Sequence, residues 1–351
     1  MQDTNHKKVT LRTISEKLGV SQATVSKALR ESTDISDEMK RKVRAISDEL
    51  GYHPNLLARG LVQQRSNIIG VIIPDLNISY YSDLVQHIYE SAQEIGYESI
   101  VMFHHEDAIK ERKNLQFLVA LQVDGILISE TNGHQNAVMI DQIQKQGTPV
   151  VYYDRINENA QLGFVTIDDV KATEALIEAF IARDRIKIGY IGATRGEDVT
   201  VVRFESYREL LPKFGLKYDP ALVIDCLPDG CNTMQKMQTA LRQGIDIDAL
   251  LCAGGLIAYH AGRAILSEGM RMPEDIILGE FGNNNIVQRL GISYFSIDQS
   301  PDLIAKNSIQ LLESSITNRE VQREPRNIFV ESKLIYYDHF RHKEQIVKII
   351  E

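Results

Sequence analysis

Gln22, Ala23, Ser26 and Lys27 fall on one face of a short helical stretch, and their side chains are small, hydrogen-bonding or basic. That mixture suits close approach to base edges in a DNA major groove, where a bulky apolar residue would hold the helix away. Other groupings offer weaker chemistry. Cys226, Cys231 and Cys252 are odd in number and lack CxxC spacing, which points to structural thiols rather than a disulfide framework or a zinc site. His104-His105 and His339…His342 have no acidic or cysteine partner at ligand spacing, so they read as surface histidines and no metal or cofactor is expected. Asp168-Asp169 falls at a strand-to-helix junction, where a carboxylate caps the next helix. With no GxGxxG after a strand, no GxxxxGKS/T and no GxSxG, the chain is not expected to be an enzyme.

The elements that must carry the first four residues are legible. Thr10 caps a helix whose Ile14 and Leu18 share a face, and Gly19 supplies the turn. Ser21 caps a second helix that sends Val25 and Leu29 inward. A third begins at Ser36, with Asp37 and Glu38 favourable in its first turn, an apolar stripe of Met39, Val43, Ile46 and Leu50, and Gly51 as the stop. After it comes YHPNLLARGLVQQRSN, a run too short to hold as an isolated helix and weakened further by Gly60, so it reads as a linker that orders only with a partner. Charge divides along the same line. Residues 1–67 carry twelve Lys and Arg against eight Asp and Glu, whereas the rest carries 27 against 40. A positive module beside an acidic body suits phosphate contact by the module alone.

From Ile68 onward, apolar runs such as IIGVIIP, GILIS, PVVYYD, KIGYIGA and ALLCAGG alternate with helical stretches, which predicts parallel sheets covered on both faces. Their number predicts two sheets, a first set of four strands over about 68–154 and the next over about 165–282. No apolar run approaches the roughly 20 residues that cross a bilayer, and Met1-Gln-Asp-Thr-Asn-His-Lys-Lys has no signal-peptide core. A cytoplasmic location without membrane contact is therefore expected. The tail from Asp338 to Glu351 shows Ile346, Ile349 and Ile350 as apolar residues, predicting a brief helix or a frayed end and a dimer rather than a tetramer.

The opening helices, the third helix and Tyr52-His53-Pro54-Asn55…Ala58-Arg59…Leu61 running into Ile69–Pro74 resemble the lactose-repressor (LacI/GalR) family over nearly the whole chain. The resemblance implies an α/β protein with a small all-α helix-turn-helix domain and a two-lobed, periplasmic-binding-protein-like body of two doubly wound parallel sheets. The domains would be a reader at 1–51, a hinge helix or linker at 52–67, and an effector-binding and dimerisation domain at 68–351. Within that last domain the N-lobe is expected at about 68–164 and 296–328, and the C-lobe at about 165–295 and 329–340. It further implies a homodimeric transcriptional regulator, a repressor, on a double-stranded operator. Gln22, Ala23 and Lys27 would read bases, Thr10, Ser21, Thr24 and Ser26 would hold phosphates, and Asn55, Arg59 and Leu61 would serve the hinge, with Leu61 as a minor-groove lever.

For the effector, the resemblance implies Tyr80, Tyr81, Asp154, Arg155 and Arg203 in the cleft. Two positions depart from the family. Gly254-Gly255 stands where Asn-Asp is usual, and Glu280-Phe281-Gly282 where Gly-Phe-Asp is usual. With the acidic acceptor missing at Gly255 and Gly282, Glu130 or Asn283 would have to substitute. Arg155, Arg203 and Arg195 then favour an anionic sugar derivative, such as a sugar acid or sugar phosphate. The alternative is control by a protein partner rather than a small metabolite.

Overall fold

The computed structural model describes residues 9–53, 65–76, 79–155, 160–196, 199–227, 229–282, 285–317, 325–341 and 343–351. The chain divides into two compact units, Met1–Ser66 and Asn67–Glu351. In the first, helices α1 (Leu11–Leu18), α2 (Gln22–Leu29) and α3 (Asp37–Leu50) close around Ile14, Val25, Ala28 and Val43, all fully buried. Each helix is started by its own hydroxyl. Thr10 Oγ1 accepts from the Thr13 N–H at 3.4 Å while Thr13 Oγ1 accepts from the Thr10 N–H at 3.2 Å. Ser21 Oγ accepts from the Thr24 N–H at 3.0 Å, and Ser36 Oγ from the Met39 N–H at 3.4 Å. Caps of this kind satisfy N–H groups that the first turn leaves over, and contribute about 1 kcal/mol each. Gly19 ends α1 at φ 65°, a left-handed value that a side chain would resist.

The second unit opens with β1 (Ile68–Ile73), α4 (Ser79–Glu94), β2 (Glu98–Phe103), α5 (Ala108–Ala120), β3 (Gly125–Ile128), α6 (Ala137–Lys145), β4 (Val150–Tyr153) and β5 (Phe164–Thr166). It continues through α7 (Asp169–Ile181), β6 (Ile188–Gly192), α8 (Val199–Leu210), β7 (Val223–Asp225), α9 (Thr233–Arg242), β8 (Ala249–Cys252), α10 (Gly255–Ser267) and β9 (Ile277–Phe281). It closes with α11 (Asn285–Gln288), β10 (Tyr294–Asp298), α12 (Pro301–Thr317), β11 (Ile328–Phe329), β12 (Ser332–Asp338) and β13 (Lys343–Ile350).

Two sheets result. The first has the order β11-β5-β4-β3-β1-β2 and is parallel throughout. The second has the order β13-β12-β10-β9-β8-β6-β7, with β12 antiparallel to both β10 and β13 and the other pairings parallel. β3, β4, β8 and β9 are buried at every position, as expected of strands covered on both faces. The chain passes from one lobe to the other at 166–169, at 298–301 and at 329–332, because α7 packs on the second sheet, α12 on the first, and β11 and β12 lie in different sheets. No helix among the described residues is long and apolar enough to cross a membrane.

Two expectations are corrected. Phe164–Thr166, grouped with the later strands by sequence, is the fifth strand of the first sheet, with Tyr152 opposite Phe164 and Tyr153 opposite Val165. The tail is a strand rather than a helix or a frayed end. Ile346 pairs with Ile335 and Ile350 with Ser332. Ile346, Ile349 and Ile350 match a helical spacing, but with Val347 they form a β-branched run that the neighbouring β12 can pair through a short hairpin.

The small first unit should depend heavily on its four-residue core. Ile14→Ala is expected to cost it about 2–5 kcal/mol, most of what a module of this size holds. Amide hydrogen exchange should show the three helices losing protection while the second unit keeps its own. Retained protection of α1–α3 would contradict this account of the core.

Candidate functional site

On α2 the buried residues Val25 and Ala28 turn one side inward. Gln22, Ala23 and Lys27 are exposed on the remaining surface, and Thr24 and Ser26 are half-buried. Thr10 and Ser21 are exposed and already serve as caps, and Ser21 Oγ also lies 2.9 Å from Thr24 Oγ1. Lys27 Nζ donates to Asp34 Oδ2 at 2.5 Å, a partner that the sequence reading did not single out. Asn55, Arg59 and Leu61 lie outside the described residues, as does Asn283 of the cleft set.

In the second unit, the other cleft residues follow the C-terminal ends of parallel strands or stand on the helices after them, where such sheets place ligands. Tyr80 and Tyr81, at the start of α4, are buried with their rings edge to face, centroids 5.2 Å apart. Tyr81 Oη donates to Asp154 Oδ2 at 2.7 Å, and Ser129 Oγ donates to the same oxygen at 3.3 Å. Asp154 stands just beyond β4 in a left-handed conformation, φ 66°, with its carbonyl accepting from Thr166 Oγ1 at 2.7 Å. Burial, and next the Asp154 carboxylate, push both tyrosine hydroxyls above their ordinary range. The Tyr80 hydroxyl is enclosed beside that carboxylate and makes no hydrogen bond of ordinary geometry among the described residues.

Arg155 forks onto Glu106, Nη2 to Oε1 at 2.6 Å and Nη1 to Oε2 at 3.0 Å, and Nη1 also reaches the Glu130 carbonyl at 2.8 Å. Burial opposes its charge, but Tyr81, Glu106 and Asp154 outweigh burial and hold the guanidinium protonated. Glu130 is buried and bonds His134 Nδ1 through Oε2 at 2.7 Å. His104 is corrected from a surface to a core histidine. It has no exposed surface, and it lies 2.9 Å from the Ser129 carbonyl through Nε2 while Nδ1 accepts from the Glu106 N–H at 3.1 Å. His105 is the exposed member of that pair.

Arg203, on α8, is only 5% exposed. Its Nε donates to Asp169 Oδ1 at 2.7 Å, Nη1 to the Ala253 carbonyl at 2.7 Å, and Nη2 to Gln299 Oε1 at 2.9 Å. The guanidinium carbon stands 3.9 Å from the centre of the Phe281 ring. Burial works against this charge too, and Asp169, together with Asp154 and Tyr190, outweighs it. Arg195 is exposed and Gly255 is the buried first residue of α10. Two of the three arginines expected near the ligand, Arg155 and Arg203, therefore already have a carboxylate partner.

Sequence reasoning missed Asp169 and Gln299 as partners of Arg203, and it missed Glu280. The Glu280 carboxylate is fully buried and accepts from Ser296 Oγ. Its Oε2 lies 3.7 Å from where a Cβ on Gly282 would stand, and Gln299 Nε2 lies 4.0 Å from the same point. Residues i and i+2 of a strand share a face. A longer acid at 280 thus brings its carboxylate to the space that a side chain at 282 would occupy. Gly282 itself has φ 127°, which favours glycine. The alternation rule was the available signal.

Residues 10–55 match the family described as bacterial regulatory proteins, lacI family, and residues 69–320 match a periplasmic binding protein domain. Catabolite control protein A of Staphylococcus aureus is 26% identical over 331 residues, covering 93% of this chain and 98% of that protein. Among solved structures, a lac repressor dimer bound to operator and the anti-inducer ONPF superposes with a TM-score of 0.82 at 22% identity, and a transcriptional regulator CelR–cellobiose complex with 0.69 at 24%. Each covers 93% of this chain and 98% of the other. At these identities the two structures show a shared fold.

Removing Arg203 would strand Asp169 in a buried site. Arg203→Ala is expected to destabilise the second unit by about 3–5 kcal/mol, and the double variant with Asp169→Asn to recover part of that loss. Thermal or denaturant unfolding measures both. Equal stability of Arg203→Ala and the parent chain would contradict a paired buried charge.

Proposed function

Because the chain belongs to the lacI family of bacterial regulatory proteins, we propose that it is a repressor of transcription whose operator affinity is set by a small neutral carbohydrate or sugar derivative. As a member of that family it is a DNA-binding regulator rather than an enzyme. The observation that carries the DNA reading is the face of α2, which turns Val25 and Ala28 into the core and leaves Gln22, Ala23 and Lys27 outside. These three would read base edges in the major groove, with Thr10, Ser21, Thr24 and Ser26 on phosphates. Residues 1–51 act as the reader, 52–67 as the hinge with Asn55, Arg59 and Leu61 at the minor groove, and 68–351 as the effector-binding and dimerising body. A homodimer would present two readers to a near-palindromic operator in the cytoplasm. The lac repressor dimer seen on its operator supports that arrangement.

A neutral ligand is favoured over an anionic one because Arg155 and Arg203 are paired with Glu106 and Asp169. An anion would have to displace a carboxylate from a guanidinium that already has one. Hydroxyl groups need no such exchange. They can donate to Asp154 and Glu280, accept from the Tyr80 hydroxyl, and stack against the tyrosine rings. Glu130, Gly255 and Asn283 complete the proposed lining. The CelR–cellobiose complex supports a neutral sugar in this fold. By binding one arrangement of the lobes more tightly than the other, the ligand would shift the population competent for operator.

Selection of bound genomic DNA by the full chain should return a near-palindromic site. Lys27→Ala should weaken binding to it by about 1–3 kcal/mol, and unchanged affinity would count against α2 as the reading element. In a thermal-shift screen, neutral sugars and polyols should raise the melting temperature. Stabilisation by sugar acids or phosphates alone would overturn the neutral ligand. Operator binding that responds to no metabolite would favour control by a protein partner.

A further inference from the structure

Lys27 does not present a bare charge. Its ammonium donates to Asp34 Oδ2 at 2.5 Å, and the other oxygen of that carboxylate accepts from Ser32 Oγ at 2.5 Å. The turn after α2 brings this about, since the N–H groups of Arg30 and Ser32 both bond the Lys27 carbonyl, at 3.2 and 3.1 Å, and fold the following residues back along the helix end. The two side chains are 47% and 51% exposed, so the pair lies on the accessible surface. The Lys27 hydrogen bond, followed by that of Ser32, brings the Asp34 carboxyl down to about 2, leaving it ionised wherever duplex DNA is stable.

An acidic side chain clasping the base-reading lysine has a definite effect on discrimination. A bare lysine gains affinity from any phosphate, whatever the sequence, by releasing a condensed counterion. A lysine held by a carboxylate is nearly neutral to any charge much farther away than the pair's own separation, and a phosphate must compete with the carboxylate for it. A guanine edge offers acceptors at O6 and N7 in the floor of the groove, and can take the ammonium without drawing Asp34 onto the phosphates. We propose that Asp34 is a specificity-determining residue of the DNA reader, holding Lys27 away from phosphates until a base-edge acceptor of the right sequence replaces it. This rests on the reading of α2 as the DNA-contacting helix.

The test uses the full-length chain with Asp34→Asn, Lys27→Ala and the double variant, titrated against the selected operator and a random-sequence duplex over a range of salt. Asp34→Asn should bind random DNA roughly two- to fivefold tighter, the range expected of an exposed ion pair. Its logarithmic salt slope on random DNA should steepen by about 0.9, one further phosphate contact. Operator affinity should change less, so the ratio of operator to random binding falls. In the Lys27→Ala background, Asp34→Asn should leave the slope unchanged. Equal gains on both duplexes, or a slope change that persists without Lys27, would overturn the proposal and leave simple charge repulsion. A parent chain with no preference for any duplex would instead overturn the reading of α2 on which the proposal stands.

Discussion

A guanidinium sealed from water must find its counter-charge in the protein, and the second lobe is arranged around that requirement at Arg203. A buried ion whose partner is removed costs several kcal/mol, so its partners are constrained more tightly than apolar neighbours of the same size. Here they come from the start of α7, the end of β8 and the segment after β10, through Asp169, Ala253 and Gln299. One side chain thereby ties a helix start to the ends of two strands. Phe281, at the end of β9, closes the space against the guanidinium face. In the first lobe Arg155 likewise forks onto a carboxylate, Glu106, which remains 43% exposed.

The local grammar of this chain was readable wherever a residue acts on its near neighbours. Thr10, Ser21 and Ser36 cap the helices that their positions announce, and Gly19 ends α1, because a cap or a turn involves atoms within four residues. The buried strands were readable for a similar reason, since a strand covered on both faces has to be apolar along its whole length. The tail misled the same grammar. Its isoleucines fit a helix, and only the adjacency of β12 makes them a strand.

Pairings between distant residues were not readable, and they hold the candidate site together. Asp169 and Arg203 are 34 residues apart, and Arg203 and Gln299 are 96 apart. Asp168-Asp169 was recognised as a helix start, and Asp168 does accept from the Lys171 N–H at 3.0 Å, yet nothing local says that its neighbour carries a buried arginine. Glu280 shows a subtler limit. A position-by-position reading found Gly282 bare, whereas the strand places a carboxylate beside that space from two residues earlier. His104 looked exposed for want of a partner at ligand spacing, and its actual partner is the backbone carbonyl of Ser129 on another strand end.

The location of those partners ties ligand chemistry to lobe geometry. Of the three passages between lobes, that at 166–169 ends on Asp169 and that at 298–301 contains Gln299, so two of the groups that satisfy Arg203 sit where the chain changes sheets. Ser300, next in the second passage, is held at φ 48°, and Asp154 at the mouth of the first lobe at φ 66°. Residues other than glycine reach such left-handed values rarely, and the surrounding structure has to hold them there. A ligand hydroxyl that exchanged places with the Gln299 carbonyl on Arg203 would change the restraint on a connection between lobes, not merely fill space between them. Such an exchange would give differential affinity for two lobe arrangements without a long relay, because two partners of Arg203 lie in the passages themselves.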